Sequence, residues 1–144
     1  MDRKVSIIIV SHDLRDYLLR CIAKIGEHTE PDLLEEIVVV DNGSRQEVSA
    51  QEIASLTSFP TSIVRLKENS SYSSANNRGV TAARGSYVCF MNNDVEVLPG
   101  WLSPLYRILD ADRHIGAVGP KMIFQDGTIQ FAGYENCLLY TSPS

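Results

Sequence analysis

Cysteine is scarce in this 144-residue chain, with only Cys21, Cys89 and Cys137 present. An odd number at wide spacing argues against a disulfide framework and offers none of the paired spacings of a zinc site. Cys21 and Cys89 lie inside apolar patterns and read as small buried hydrophobes in a reducing compartment. Positive charge is also in short supply: 13 Lys and Arg face 18 Asp and Glu, for a formal net charge of -5. No segment concentrates the basic residues, which argues against nucleic acid as a partner. There is no run of about 18 apolar residues, and the opening MDRKVSIIIV is too short in its apolar part for a secretory signal. The reading is therefore no transmembrane segment and a cytoplasmic location, with peripheral use at the inner membrane face left open. Between Val10 and Leu14 there is no G-x-G-x-x-G, which leaves a dinucleotide cofactor site weakly supported. The same stretch lacks the glycine- and basic-rich phosphate loop that a nucleotidyltransferase would need.

What is present is enough for a core. At 44% hydrophobic, a chain of this length can bury roughly two thirds of its unfolded surface, which predicts one domain over 1–144. Val5 to Val10 is a continuous β-branched run and reads as a buried strand. Ser11, His12 and Asp13 follow it, and then Leu14, Leu18, Cys21, Ile22 and Ile25 recur at helical spacing up to Gly26 or shortly after. Asp13 is placed to cap that helix, while a strand end feeding a helix start also exposes groups on which a nucleotide can dock. Ile37 to Val40 reads as a second buried strand closed by Asp41, Asn42, Gly43 and Ser44. Asp41 is either a turn former or an acceptor for a ribose or base edge. A short helix around Val48, Ile53 and Leu56 and a strand over Ser62 to Leu66 come next. The polar KENSSYSSANNRG then resolves into a helix running to Ala83 or Arg84, whose Ser74, Ala75 and Gly79 allow close approach to another surface. On it Arg78 is either solvated or turned toward a phosphate.

The chain is organised around GSYVCFMNNDVEVLPGW, residues 85–101. Its apolar run, Tyr87 to Met91, drives toward Asn92, Asn93 and Asp94, the way an α/β sheet presents polar chemistry at the carboxyl edge of a strand. A hard divalent cation takes oxygen ligands from a carboxylate and from diphosphate oxygens, so Asp94 alone can anchor a metal–nucleotide complex. Glu96, alternating with Val95 and Val97, reads as the wet side of a short strand. A helix over Pro99 to Leu109 follows, with Trp101 as a packing anchor in preference to a sugar platform. Asp126-Gly127, between MIF and TIQF, predicts a hairpin. After Gly133 the pattern degrades, and the end reads as a cut.

In order along the chain, VSIIIVSHD, EIVVVDNGS, KENSSYSSANNRG, YVCFMNNDVEVLPGWL and IGAVGPKMIFQDGTIQFAG resemble the amino-terminal, nucleotide-binding part of a family 2 glycosyltransferase, near the rhamnosyltransferase-like enzymes. The resemblance covers Val5 to Gly133. It implies a GT-A fold, an α/β three-layer sandwich with a mostly parallel, Rossmann-like central sheet, incomplete here after about residue 133. It implies an inverting transferase that takes a nucleotide diphosphate sugar, a UDP- or dTDP-sugar first, with Mg2+ or Mn2+ and a saccharide or glycolipid acceptor.

Carried over residue by residue, the resemblance puts Ser11, His12 and Asp13 at the nucleotide base, where the family commonly has Thr-Tyr-Asn. Asp41 falls at the base or ribose, and Asn77 and Arg78 fall on the nucleotide-side helix. The family's usual Gly-Phe before that helix is Ser71-Tyr72 here. Asn92, Asn93 and Asp94 match its aspartate-x-aspartate position, with Asp94 at the metal and diphosphate. The family supplies its catalytic base beyond residue 133, and none of Glu96, Asp126 and Glu135 is assigned that role. This chain alone is therefore expected to bind donor poorly and to turn over no acceptor. The alternative is a noncatalytic nucleotide-sugar or partner-binding module that keeps the fold, favoured by the departures at 11–13 and 71–72.

Overall fold

The computed structural model describes residues 3–133. The expected division into one domain stands beside two compact units, Met1–Pro104 and one from Leu105 onward. Cys137 and Glu135 lie outside the described residues.

In the first unit, the β-branched runs become four parallel strands: β1 (Val5–Ser11), β2 (Leu34–Asn42), β3 (Thr61–Leu66) and β4 (Tyr87–Asn92), in the order β3-β2-β1-β4. β1 is central and buried along its whole length, as expected for a strand covered on both faces. Side chains alternate between faces. Ile8, Val10, Val38 and Val40 form one cluster with Ala75 of α3 (Tyr72–Ala82). Ile7, Ile9, Ile37 and Val39 point the other way and are equally buried.

On that second face, α1 (Arg15–His28) buries Leu18, Cys21, Ile22 and Ile25, the predicted stripe without Leu14, which precedes the helix and is half exposed. Cys21 Sγ reaches Met91 Sδ at 3.7 Å, and Met91 is the register partner of Ile9, so α1 lies over the Ile9 side of the sheet. Helices thus cover both faces, giving the three layers that the sequence predicts. The short α2 (Ala50–Ala54) is defined by a capping box, with Ser49 accepting from Glu52 N and Glu52 reaching back to the Ser49 backbone. The close approach predicted for α3 is met by Gly79, where a Cβ would stand 2.4 Å from Ile8 Cγ2.

Three local expectations are corrected. Asp13 does not cap α1. The N-cap is Leu14, with no side-chain bond, because the Asp13 carboxylate is taken by Arg45. Residues 95–97 form no strand; Val97 is buried and Glu96 lies 3.5 Å from Arg20 Nη1. The next helix, α4 (Leu102–Ala111), starts three residues after Pro99, because Gly100 adopts φ +71 and Trp101 N closes a turn on Leu98 O. Trp101 is the expected packing anchor, its Nε1 donating to Thr29 Oγ1 at 3.0 Å.

In the second unit the predicted hairpin is present. β5 (Met122–Ile123) and β6 (Ile129–Phe131) pair antiparallel around Asp126-Gly127, with Gly127 at φ +83.

Candidate functional site at the carboxyl edge of the sheet

The strand order places the site before any side chain is considered. From β1 the chain steps outward to β2 and β3, then returns to the other side of β1 as β4. That reversal makes a topological switch point between β1 and β4, where the carboxyl ends of parallel strands leave a crevice. The loop after β1 carries Ser11, His12 and Asp13, and the turn after β4 carries Asn93 and Asp94. In register, Ser11 stands beside Asp41 and Val10 beside Asn92. Asp41 and the β4 exit are therefore two strand spacings apart, roughly 10 Å.

Each predicted residue has a definite position. Ser11 is buried and its Oγ accepts from Asn93 Nδ2 at 3.0 Å, joining the two sides of the switch point. His12 Nδ1 lies 3.0 Å from Asn42 O. A carbonyl only accepts, so the proton is on Nδ1. Asp13 holds φ +61, and its backbone N–H donates to Ser44 Oγ at 3.0 Å. Its carboxylate accepts from Arg45 N at 2.7 Å, Arg45 Nε at 2.9 Å and Arg45 Nη2 at 2.7 Å. The Arg45 backbone and then its guanidinium hold the Asp13 carboxyl below its ordinary value.

Asp41 is buried. One oxygen accepts from Ser44 N at 3.0 Å and the other from Arg65 Nη1 at 2.7 Å. Asp94 is exposed in the turn that follows β4. Asn77 and Arg78 lie beyond the first turn of α3 on its exposed side, and neither they nor Asp94 join the hydrogen bonds that involve Ser11, His12, Asp13, Asp41, Asn92 and Asn93.

Several participants were not anticipated. Asn42 Oδ1 accepts from Ser70 N and Ser70 Oγ, and its Nδ2 donates to Asn69 Oδ1 and Ser70 O, all at 2.9 Å. This fastens the β3–α3 loop to the end of β2. Ser71, in the place of the family's usual glycine, is the N-cap of α3 and accepts from Ser74 N. Tyr72, in the place of its phenylalanine, donates its hydroxyl to Asn92 Oδ1 at 2.9 Å. The available signal for Arg65 was a charged residue within the apolar alternation TSIVRL, which needs a partner; nothing local marked Asn42 or Tyr72.

Beneath these loops the cavity lined by Ser11, Asp13, Asp41 and Arg65 measures only about 10 Å³, room for about one water. Among the described residues no three His, Cys, Asp or Glu converge as a metal cage. Asp94 is the exposed carboxylate at the β4 exit, and one protein oxygen donor fits a divalent cation only where a ligand supplies the remaining oxygens.

The family model of glycosyl transferase family 2 matches residues 6–141. The chain belongs to that family. Over 134 residues, 90% of this chain, it is 34% identical to the O-antigen biosynthesis protein RfbC of Myxococcus xanthus, covering 10% of that protein. It is 30% identical over 132 residues to a putative polypeptide N-acetylgalactosaminyltransferase 13 of Drosophila melanogaster, covering 85% of this chain and 24% of that one. Among solved structures, GalNAc-T7 with UDP, GalNAc and Mn2+ superposes with a TM-score of 0.70 at 23% identity, over 77% of this chain and 22% of that chain. The last likeness is one of fold. This family 2 chain spans between 10% and 24% of the length of these proteins. No helix among its described residues is long and apolar enough to cross a membrane.

Proposed function

We propose that this family 2 domain binds the nucleotide diphosphate sugar donor of an inverting, metal-assisted glycosyl transfer to a saccharide or glycolipid acceptor. The observation that carries the reading is the placement of Asp41 and Asp94 at opposite ends of one carboxyl-edge crevice. Asp41 is a paired, inward-held carboxylate suited to accept hydrogen bonds from a nucleoside. Asp94, about two strand spacings away, is an exposed carboxylate suited to the diphosphate end. The presence of UDP and Mn2+ in the GalNAc-T7 structure favours a UDP- or dTDP-sugar as donor and Mg2+ or Mn2+ as the ion. The work is assigned to the cytoplasm, at the inner face of a membrane where the acceptor is a glycolipid.

The chemistry follows from charge. When the bond from the anomeric carbon to the diphosphate breaks, negative charge develops on the leaving phosphate, and a divalent cation bound there would stabilise it. This chain's share is to fix the donor. The loops bearing Ser11, His12 and Asp13 border the nucleoside, Asp41 orients it, and Asp94 supplies an oxygen to the cation. Deprotonation of the acceptor hydroxyl needs a further carboxylate, assigned to none of the described residues.

Calorimetric titration of UDP, dTDP and GDP, with and without Mn2+, tests the reading. UDP or dTDP is expected to bind more tightly with the ion present, and Asp94→Ala is expected to cut that gain at least about tenfold, the loss known even for outer-shell changes at metal sites. Metal-dependent affinity unchanged in Asp94→Ala would overturn the site assignment. Donor binding with no transfer in any longer form of the protein would favour the noncatalytic alternative.

A further inference from the structure

The polar contacts of the carboxyl edge form a closed circuit. From Ser11, the hydrogen bond to Asn93 crosses from β1 to the β4 exit. Asn92, its chain neighbour, accepts from the Tyr72 hydroxyl at the start of α3. Two residues earlier, Ser70 donates twice to Asn42 at the end of β2. The Asn42 carbonyl accepts from His12 Nδ1, next to Ser11. Each link ties loops that are far apart in sequence, and the circuit encloses the strand ends between the Asp41 side and the Asp94 side.

The links are unequal. Asn42 holds the β3–α3 loop through four contacts, and the bond between Ser11 and Asn93 is buried. The span between α3 and the β4 exit rests on Tyr72 Oη and Asn92 Oδ1, an exposed pair. Asn92 directly precedes the turn Asn93-Asp94. Pairing with β1 and the long bond from Val95 N to Asn92 O at 3.4 Å set where that turn begins, and the Tyr72 hydroxyl restrains the side chain of its first residue.

We propose that Tyr72 is a positioning residue whose hydroxyl, by closing this circuit, holds the Asp94 turn in the place that a metal-bound diphosphate requires. The inference rests on the reading of Asp94 given above. Tyr72 is not assigned any contact with the nucleotide. Its effect is confined to the diphosphate end, because the Asp41 end is secured independently by Arg65 and Ser44.

The test compares the full chain with Tyr72→Phe, which removes one oxygen and keeps the ring. Affinities for uridine, and for UDP with and without Mn2+, are measured alongside thermal melting. The expected result is unchanged uridine affinity, a Mn2+-dependent gain in UDP affinity reduced roughly three- to tenfold, the scale of one hydrogen bond, and a small change in melting temperature. A Tyr72→Phe chain with the full Mn2+-dependent gain would overturn the inference, as would equal losses for uridine and UDP, which indicate general loosening. Absence of any metal-dependent UDP affinity in the unaltered chain would instead overturn the underlying reading of Asp94, and this inference with it.

Discussion

Arg65 and Asp41 are register partners on adjacent strands, and the guanidinium bridges from the Asp41 carboxylate to the carbonyl of Val48, each at 2.7 Å. One side chain thereby sets both the rotamer of a buried carboxylate and the path of the β2–α2 loop, with Glu47 Oε2 a further 3.3 Å partner. Replacing Arg65 by Met strands the carboxylate. The expected cost in urea unfolding is about 1–3 kcal/mol, the penalty of an orphaned polar group. In Asp41→Asn the same replacement is expected to cost less, and additive losses would show that the two do not act together.

At the opposite end of the sheet, Glu36 is 3% exposed. Its Oε1 accepts from Ser6 Oγ at 3.0 Å and Arg84 N at 2.7 Å, while Oε2 lies 2.9 Å from Arg84 Nη2. Ser6 Oγ in turn accepts from Gly85 N at 2.8 Å. Glu36→Ala leaves several donors unmatched, and a loss of about 2–4 kcal/mol is expected in denaturant unfolding. Glu36→Gln, which retains an acceptor, is expected to lose less. Since these residues lie far from the carboxyl edge, UDP affinity measured well below the melting temperature is expected to stay unchanged in both.

Acid sensitivity has a local source. Glu52 accepts from Ser49 N at 2.9 Å and Ser49 Oγ at 2.8 Å and pairs with Arg15. The Ser49 bonds first, then the guanidinium, pull its carboxyl from 4.5 down to about 2. A folded-state value below the unfolded one stabilises the fold in full above the unfolded value, and that stability is lost as pH falls toward the folded value. Between pH 4.5 and about 2, Glu52→Gln is expected to flatten the fall in melting temperature. An acid limb identical to that of the unaltered chain would count against it.

Burial pushes the Cys21 thiol up to about 12 and the Cys89 thiol up to about 11. The thiolate is the reactive form. In a Cys137→Ser background, the native chain at pH 8 is expected to resist a thiol-specific reagent that modifies the urea-unfolded chain quickly. Rapid labelling of Cys89 without unfolding would show that β4 opens on its own.

The parts of the fold that could be read from sequence are those decided by neighbouring residues. Within Val5 to Val10, the residues Ile7 to Val10 are apolar on both faces, as are Ile37 to Val40, because both faces are covered, and Leu18, Cys21, Ile22 and Ile25 mark a helix by spacing alone. The parts that escaped depend on register and long loops. Asp13 has the composition and position of a cap, yet Arg45 captures it and the backbone turns to φ +61. Arg65 can find Asp41 only once β2 and β3 are aligned. Asn42 looks like a turn residue until the β3–α3 loop returns to it. At the candidate site, the polar residues at strand ends were legible from sequence, whereas the long-range partners that fasten them, such as Arg65 on Asp41 and Ser70 on Asn42, were not.

The central place of β1 has a kinetic consequence. That strand meets β2 after a single helix, but its other edge stays open until the chain has run from Val5 to Tyr87. During synthesis, this buried apolar strand therefore emerges well before its second partner. Pairing across such sequence distances is slow, and an open apolar edge is open to association in the interval. Folding yield is thus expected to depend on how quickly β4 reaches β1, well before any ligand meets the finished crevice.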